Sequence, residues 1–424
     1  MARNRANRPA TSLAGWIPHR RAGAGKLTPV DVRAGIVLVG WLVGWWLLWR
    51  VPWLRADERD GADVGGGAAG AALGASIAVG CSIVIPARNE ATSLPHLLDS
   101  LDRQTVRAGQ ILVVDDQSSD RTADIARAHA AVTLVAGDPV PEGWTGKAWA
   151  CHQGCRLATG DTFVLLDADV TLEPDALEAV LAEHRERGGL VSVQPYHRMR
   201  RAYERLSALF NVIGFMGIGA ASPGHDATSR GAFGPVMVTS RDDYRRAGGH
   251  ASVRGEIVDD LALARRYVAI GAPVHAFGGG RLARFRMYPD GLGQLVEGWS
   301  KNIATGASTV RLGRLLLIGF WFTCLLVSIQ SLVELVLGSE SIGWVQALAC
   351  YVLFAVQLGA MLRQLGNFGP LTAVAYPVPV LVFLVVFARS TYLTLVRRRV
   401  TWRGRDIPLS RDRRWSRATV PTDE

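Results

Sequence analysis

Short apolar runs alternate with polar, helix-compatible segments through the middle of the chain. Strands are predicted at residues 81–86, 111–114, 132–135 and 163–166, with helices near 93–103 and 122–129 and a further helix after Pro174. Strands that alternate with helices favour a mostly parallel sheet that is covered on both faces. The pattern therefore predicts an α/β domain, which we place at residues 81–305.

Longer apolar runs stand on either side of this domain. They cover residues 35–49, extended to 54, and residues 315–337, 343–362 and 371–388. Runs of about 20 apolar residues are long enough to cross a bilayer, and Arg50 could snorkel at the end of the first. We therefore predict transmembrane helices at 34–54 and within 313–396.

Polar residues and prolines interrupt two of these runs. Glu334 stands inside one, and an acid within a membrane indicates a cavity or a helix partner. Pro377 and Pro379 break the run at 371–388, which is our candidate for a re-entrant or interfacial segment. Residues 206–221 form a further apolar stretch that is short for a span, so we expect a surface helix or an acceptor pocket there.

Composition agrees with a soluble domain joined to membrane spans, since hydrophobic residues make up 49% of the 424 residues and charged residues 20%. The net charge of +10 resides in two tails, 1–33 with seven Arg/Lys and one Asp, and 397–424 with nine Arg and four acids. Basic flanks indicate anionic membrane lipid and a cytosolic side. Neither tail carries a basic–aromatic motif, so no nucleic acid partner is expected.

Two smaller features bear on the class of protein. Residues 55–80 are rich in Gly and Ala and are predicted to be a linker; their Gly-x-Gly-x-x-Gly at 65–70 follows no strand, so it does not indicate a dinucleotide site. The five cysteines form no Cys-x-x-Cys pair, which predicts reduced thiols rather than a disulfide framework.

Carboxylates follow two of the predicted strands. Asp115 and Asp116 end the second, and Asp167 and Asp169 follow the fourth. Residues two apart in an extended chain point to one side, and in open α/β sheets ligands bind at the carboxyl edge. One such pair alone is more often a solvated turn, but acids recurring at strand ends suit a nucleoside and a divalent cation on a diphosphate.

Two cations complete this predicted nucleotide–diphosphate site. Arg88 follows the first strand, and Lys147 ends a flexible-looking loop at 143–147. Both could bind phosphate oxygens. Either one alone would be read as a solvated surface charge, so the prediction depends on their occurrence beside the acidic strand ends.

At these residues the chain resembles family 2 glycosyltransferases of the GT-A fold. The superfamily motifs are Val84-Ile-Pro-Ala-Arg-Asn-Glu90, Asp115-Asp116 and Asp167-Ala-Asp169. Narrower motifs are Gly143-Trp-Thr-Gly-Lys-Ala-Trp-Ala-Cys151, Val191-Ser-Val-Gln-Pro-Tyr-His197, Ala232-Phe-Gly-Pro235, Phe285-Arg-Met-Tyr288, Glu297-Gly-Trp-Ser-Lys-Asn302 and Val400-Thr-Trp-Arg-Gly-Arg405. These resemble membrane glycosyltransferases that act on carotenoid acids, with hopanoid-associated relatives also similar, and the match covers about residues 81–407.

The resemblance implies a Rossmann-like catalytic domain joined to transmembrane helices. It implies inverting transfer from a UDP-sugar to a lipophilic isoprenoid acceptor with Mg²⁺ or Mn²⁺, by a multi-pass protein of the cell membrane whose catalytic domain is cytosolic. The implied nucleotide-sugar contacts are Pro86, Ala87, Arg88, Glu90, Asp115, Asp116, Lys147 and Asp167. Asp167 and Asp169 would hold the metal, and Trp299 would contact the acceptor.

The catalytic base is expected in Glu256-Ile-Val-Asp-Asp260. We favour Asp260 and keep Asp259 as its alternative, since neighbours on a helix point about 100° apart and only one can face the acceptor. Both acids would also serve as an ordinary helix cap.

Two other functions remain open at the level of sequence. A processive polysaccharide synthase is disfavoured, because Gln294-Leu-Val-Glu-Gly-Trp299 has one residue more than the Gln-x-x-Arg-Trp motif and lacks its Arg. A non-enzymatic scaffold with a degenerate domain is disfavoured by the intact acids.

Overall fold

The computed structural model describes residues 29–56, 80–225, 227–338, 343–397, 399–402 and 405–408. Most of the predicted basic tails and of the Gly/Ala linker lies outside the described residues.

A seven-stranded sheet forms the centre of the α/β domain. Its strands are β1 (Cys81–Ala87), β2 (Gln110–Asp115), β3 (Val132–Ala136), β4 (Thr162–Leu166), β6 (Leu190–Gln194), β8 (Val236–Ser240) and β9 (Val274–Gly278). They lie in the order β3-β2-β1-β4-β8-β6-β9. Only β8 among these runs antiparallel to its neighbours. The predicted mostly parallel sheet is thereby confirmed, and the four predicted strands begin and end within one residue of β1 to β4.

Helices cover both faces of this sheet. Those of the domain are α2 (Leu94–Asp102), α3 (Thr122–Ala128), α4 (Gly146–Leu157), α5 (Ala176–Arg187), α6 (Ala208–Ile218), α7 (Arg241–Arg246), α8 (Asp259–Ala269) and α9 (Leu292–Ala307). Because strand side chains alternate, Ile83 and Ile85 of β1 enter one buried cluster while Val84 enters the cluster on the opposite face.

Three short strands form a second sheet beside the carboxyl edge of the first. These are β5 (Val170–Leu172), β7 (Tyr196–His197) and β10 (Ala283–Phe285), in the order β5-β10-β7. Sequence patterns did not predict this sheet, because strands of two or three residues are too short to show a period. It brings residues 283–288 close to the turn that follows β4.

Apolar helices and one hairpin lie outside the α/β domain. They are α1 (Pro29–Leu47), α10 (Leu312–Val336), α11 (Trp344–Leu365), α12 (Pro370–Val374), α13 (Pro377–Tyr392), and strands β11 (Arg399–Trp402) and β12 (Arg405–Pro408). By length and composition, three segments within the described residues could cross a membrane: Leu312–Val336, Trp344–Leu365 and Pro377–Arg397. The helix at the predicted first span is shorter in its apolar part, Val32–Leu47.

Glycines set the distance between α1 and α10. An added Cβ at Gly40 would lie 2.3 Å from Cys324 Sγ, and one at Gly44 would lie 2.3 Å from Trp321 Nε1. Gly40 and Gly44 form a Gly-x-x-x-Gly spacing, which lets helix backbones approach closely in a membrane. The far end of α1 is joined to α10 by an ion pair of Arg33 with Glu334, at 2.8 Å. Glu334 thus has a helix partner, which is one of the two alternatives that its sequence position predicted.

The prolines divide the predicted run at 371–388 into two helices. After α11, Gly366 pairs with His197, and Asn367 exchanges hydrogen bonds with Met199 of the α/β domain. The chain passes through α12, turns at Tyr376, and returns along α13 until Ser390 Oγ donates to the Ser300 carbonyl of α9. Both ends of this segment therefore contact the α/β domain.

Candidate active site

One large cavity, of about 1790 Å³, opens along the carboxyl edge of β1, β2 and β4. The predicted site residues that line it are Pro86, Ala87, Arg88, Glu90, Asp116, Lys147, Asp167, Asp169, Asp259, Asp260 and Trp299. Ligand pockets for one small molecule commonly have volumes of about 300–1,000 Å³. The volume therefore leaves room for more than one ligand.

The loops after β1 and β2 are bonded to each other at one end of the cavity. Asn89 and Gln117 have φ angles of 53° and 55°, a left-handed conformation that few non-glycine residues adopt. The Asn89 carboxamide oxygen accepts from the Ser119 N–H at 2.8 Å, and Arg88 Nη1 donates to the Asp116 carbonyl at 2.6 Å. The two loops therefore form a fixed polar wall, in which Asp116 is buried.

Asp115 is the one predicted site residue that does not line the cavity. It ends β2, and its carboxylate lies 3.3 and 3.4 Å from the N–H of Ser118. Its observed contact is with the loop that carries Asp116, and its predicted contact with the nucleoside stays a prediction.

Lys147 lies in the first turn of α4 rather than in a flexible loop, which corrects the expectation for residues 143–147. The helix begins at Gly146, and Thr145 caps it by accepting from the Ala148 N–H at 3.4 Å. The ammonium group lies 2.5 Å from Asp167 Oδ1. Burial opposes its charge, yet the carboxylates of Asp167 and Asp259 raise the pKa of Lys147 above its ordinary value. A fixed cation thus stands at a helix N-terminus, where anions are favoured.

Asp167 and Asp169 lie in the turn between β4 and β5 with Ala168 between them. Ala168 is buried in the core, while both acids line the cavity, so the alternation expected of an extended chain continues past the strand. The turn is held by the Asp167 N–H, which donates to the Pro235 carbonyl at 2.9 Å. Within the described residues no group of three or more His, Cys, Asp or Glu is placed to hold a metal. This acidic pair would therefore need diphosphate oxygens and water to complete a Mg²⁺ or Mn²⁺ shell, which is how Mg²⁺ usually binds.

Asp259 and Asp260 begin α8 and differ in their surroundings. Asp260 accepts from the N–H groups of Gly234 and Leu261, each at 2.8 Å. Burial and the charge of Asp259 raise its pKa to about 6, although Lys147 and these hydrogen bonds act in the opposite direction. A Cβ at Gly234 would lie 3.1 Å from Asp260 Oδ2 and 3.2 Å from Lys147 Nζ, so these charged groups meet around one glycine.

The Asp259 side chain is turned toward the protein interior. It is only 6% exposed, and its Oδ2 lies 3.9 Å from Nε2 of the buried His250. Nδ1 of that ring contacts the Tyr244 hydroxyl at 2.7 Å. Burial lowers the pKa of His250 to about 4, so the ring is neutral at pH 7. Asp259 therefore belongs to the wall behind the cavity more than to its open space.

Lys301 is a cavity residue that sequence reasoning missed. It lies on α9, and burial together with the charge of Lys147 lowers its pKa to about 8, against the opposing charges of Asp259, Asp167 and Asp260. Its only sequence signal was its place in Glu297-Gly-Trp-Ser-Lys-Asn302, which gives no information about burial.

Trp299 lines the cavity, with one face of its ring covered. Its indole stacks on Phe210 with centroids 4.7 Å apart and planes inclined by 14°, and its Nε1 donates to Ser207 Oγ at 3.1 Å. The preceding Gly298 has no room for a side chain, because a Cβ there would lie 2.2 Å from Tyr288 Cε1. The Arg of a Gln-x-x-Arg-Trp motif could not occupy this position.

Comparison with known proteins identifies the class. Residues 82–228 match the family model described as "Glycosyl transferase family 2". The chain is 35% identical over 336 residues to the 4,4'-diaponeurosporenoate glycosyltransferase of Staphylococcus aureus, covering 78% of this chain and 89% of that relative. The chain belongs to glycosyl transferase family 2. It is a glycosyltransferase, which confirms the predicted family and enzymatic activity. The alternative of a non-enzymatic scaffold is not supported.

Solved structures of two glycosyltransferases are similar to this one at low sequence identity. A mannosyltransferase from Pyrobaculum calidifontis, in complex with GDP-Man and Mn²⁺, is 17% identical with a TM-score of 0.49, covering 86% of this chain and 96% of that one. Glucosyl-3-phosphoglycerate synthase from Mycobacterium tuberculosis, in complex with Mn²⁺, UDP and glucosyl-3-phosphoglycerate, is 20% identical with a TM-score of 0.40, covering 62% and 88%.

Proposed function

We propose that this glycosyltransferase moves a sugar from a UDP-sugar to a lipophilic isoprenoid acid at the cell membrane, with inversion at the anomeric carbon. The observation that carries the proposal is that one cavity joins the carboxylate pair after β4, Lys147 and Asp260 to an apolar wall formed by α6, α9 and α10. A donor with a charged diphosphate and an acceptor with an apolar chain would each find a matching part of this cavity.

The donor end suits a nucleoside diphosphate. The wall formed by Arg88 and Asp116 would contact the nucleoside, and Lys147 at the start of α4 would contact the diphosphate. Lys147 is already paired with Asp167, so its ammonium is held in place before the donor binds. This arrangement supports the nucleotide-sugar roles that we predicted for these residues.

Asp167 and Asp169 would hold a divalent cation together with the diphosphate. Two carboxylates on one side of a turn fit a cation that takes its other ligands from phosphate and water. When bound, Mg²⁺ or Mn²⁺ would stabilise the negative charge that develops on the departing diphosphate. Lys147 acts on the same charge, so the leaving group needs no protonation.

The transfer is a single displacement at the anomeric carbon. An acceptor oxygen forms the new bond to C1 while the bond from C1 to the diphosphate oxygen breaks, and UDP departs with that electron pair. A hydroxyl acceptor must also lose a proton, and Asp260, beside Lys147 and Gly234, is the base that we propose. An ionised carboxylic acid has no proton to lose, so its transfer depends less on this base.

The acceptor class is supported by the S. aureus relative, whose name gives 4,4'-diaponeurosporenoate as its substrate. It is supported further by the apolar wall, where Phe210, Ile213 and Ile303 line the cavity. A processive synthase is disfavoured, because Tyr288 fills the space that a side chain at Gly298 would need.

The compartment in which the donor occurs determines where the catalytic domain must lie. UDP-sugars are cytosolic, so we place the α/β domain on the cytosolic side of the membrane, with the apolar helices as its membrane part.

The test of the proposal is to incubate membranes that contain the protein with labelled UDP-sugars and to identify the lipid product by mass spectrometry. We expect a glycosyl ester of a polyene acid, and no polymer. Asp169→Asn should remove most turnover with the fold intact, whereas Asp124→Asn, an exposed change on α3, should leave turnover unchanged. Activity near that of the wild type in excess EDTA would contradict the metal site.

A further inference from the structure

The cavity continues beyond the diphosphate end into a passage with apolar walls. Ile213, Gly214, Gly217 and Ile218 form one side of α6, and Ile303 of α9 and Ile318 of α10 face the same space. We call these six residues the acceptor lane. Because α10 is long and apolar enough to cross a membrane, the lane adjoins through Ile318 the part of the chain that we place in the bilayer.

Glycine keeps this lane open. A Cβ added at Gly214 would meet no atom within 4 Å, although the residue lies in a helix and lines the cavity. One turn further on, a Cβ at Gly217 would lie 3.2 Å from Val310 Cγ2. A larger side chain at Gly214 would therefore project into the lane without straining the protein, which makes this position a test of what the lane holds.

Two cations, Lys301 and Arg314, line the cavity beside the lane. Lys301 of α9 lines the same cavity, where the charges of Asp259 and Lys147 act on its ammonium group. Arg314 lies beside the C-terminal end of α6, where Nη1 donates to the Met216 carbonyl at 2.9 Å and to Ser222 Oγ at 3.1 Å. An anionic headgroup in this cavity would offer Lys301 a charged partner, which a neutral lipid would not.

We infer that the acceptor lane binds the hydrocarbon chain of an ionised lipid carboxylic acid, with Lys301 holding the carboxylate beside the sugar donor. This inference rests on the proposed function. It adds the acceptor lane as the binding site of the acceptor, and Lys301 as the residue that selects an acid over an alcohol. One carboxylate oxygen forms the bond to C1 as the bond from C1 to UDP breaks, and no proton is transferred.

Binding can be measured without turnover. The five native cysteines are buried, so N-ethylmaleimide should modify Gly214→Cys selectively. All-trans-retinoic acid, a polyene carboxylic acid, should slow this modification at least tenfold. The control is Gly293→Cys, which is on the exposed side of α9, has open space around it and does not line the large cavity. Equal modification rates of Gly214→Cys with and without saturating retinoic acid would overturn the lane.

Turnover gives the second measurement. With the donor identified for the wild type, Gly214→Trp should reduce transfer to a polyene acid at least tenfold while UDP affinity stays within twofold, and Gly293→Trp should leave both unchanged.

Lys301→Met should raise KM for retinoic acid but not for retinol or the UDP-sugar. A raised KM for the UDP-sugar instead would assign Lys301 to the diphosphate and overturn its assigned role. A wild type that glycosylates no lipid would refute the proposed function, whereas a fully active Gly214→Trp refutes only the lane.

Discussion

Two adjacent acids at the start of α8 have different surroundings in the structure. Asp260 meets Lys147 and the Gly234 N–H at the cavity, whereas Asp259 is buried against His250. Their difference supports our preference for Asp260 as the base. With an alcohol acceptor, Asp260→Asn should lower turnover by about 10²-fold or more with UDP affinity retained. Asp259→Asn, measured alongside, should keep more activity, and the reverse order would make Asp259 the base.

The pH dependence of the reaction separates the two kinds of acceptor. A base works only when deprotonated, and burial and the charge of Asp259 raise the pKa of Asp260 to about 6. The rate with an alcohol acceptor should therefore be constant above pH 7 and fall as the pH drops through about 6. The rate with a carboxylic acid should fall only at lower pH, where the acceptor itself is protonated. Initial rates from pH 5 to 8 with retinol and retinoic acid give both profiles, and identical profiles would contradict this account.

Much of the residue-level site was predictable, because acids that end successive strands meet at one edge of a parallel sheet. Lys147 was predicted as a site residue but placed in a loop, since Gly143 and Gly146 obscured the cap at Thr145. Lys301 was not found, because a lysine in an amphipathic helix looks the same whether it faces water or a cavity. Whether the lysine faces water or a cavity depends on tertiary packing, which the local sequence does not show.

The packing of α1 against α10 depends on the glycines of α1. Gly44→Leu would drive a side chain into Trp321, whose Nε1 donates to Gln357 Oε1 at 2.9 Å. We expect α1 to separate from α10, with a lower apparent melting temperature in detergent. Gly35→Leu, also on α1, meets no atom within 4 Å and should leave the melting temperature unchanged. Equal melting temperatures for both variants would show that α1 does not pack as described.

His197 joins the α/β domain to the turn between α11 and α12. Its ring lies between Phe285 and Phe368, with centroid distances of 5.1 and 5.6 Å, and neither ring nitrogen has a hydrogen-bond partner among the described residues. Burial lowers its pKa to about 4, below the ordinary value of 6.5. The His197 ring of the unfolded chain therefore binds a proton more readily than the buried ring does. The contribution of the neutral buried ring to the free energy of unfolding is complete above pH 6.5 and is lost as the pH falls toward 4.

His197→Phe should remove that part of the pH dependence. The apparent melting temperature of the wild type should fall between pH 7 and pH 5 by more than that of His197→Phe, because a phenyl ring cannot be protonated. His96→Phe, at an exposed position on α2, is the control and should behave like the wild type. A wild type whose melting temperature is as insensitive to pH as that of His197→Phe would refute the role of the buried ring.

The first four strands and the helices near 93–103 and 122–129 were predicted within one residue, while the partners of the strands in the sheet were not predicted. β8 is a buried run like β1, and nothing in its own residues shows that it lies antiparallel between β4 and β6. The run at 371–388 was predicted as a candidate re-entrant or interfacial segment, but its division into α12 and α13 was not predicted. Prolines indicate where a helix must change but not which way the chain then goes.

The path of α12 and α13 decides on which side of the membrane the basic tail after α13 lies. The Tyr376 hydroxyl lies 2.7 Å from Ser328 Oγ, and Ser328 is 16 residues along α10 from Leu312, a depth of about 24 Å. The chain then returns to the α/β domain at Ser390. We propose that α12 and α13 form a re-entrant hairpin, which would leave the basic tail on the cytosolic side, as the positive-inside rule favours.

Cysteine labelling of sealed cells with an impermeant maleimide tests this topology. Leu337→Cys, at the far end of α10 and 78% exposed, should be labelled from outside. Ser410→Cys in the basic tail and Asp138→Cys in the α/β domain should be labelled only after lysis. Labelling of Ser410→Cys in intact cells would make α13 a full span, and labelling of Asp138→Cys would refute the cytosolic placement of the domain.

The close glycine contact between α1 and α10 has a consequence for biosynthesis. Gly40 is translated 284 residues before its partner Cys324, and the complete α/β domain is encoded between them. At a synthesis rate of about 5–20 residues per second, α1 would wait roughly 15–60 s for α10 to emerge. On our prediction that α1 enters the membrane, its glycine face is open during that interval to lipid or to other inserted helices. Synthesis therefore produces α1 first and its packing partner α10 last, so the catalytic domain can fold while α1 still lacks its contact with α10.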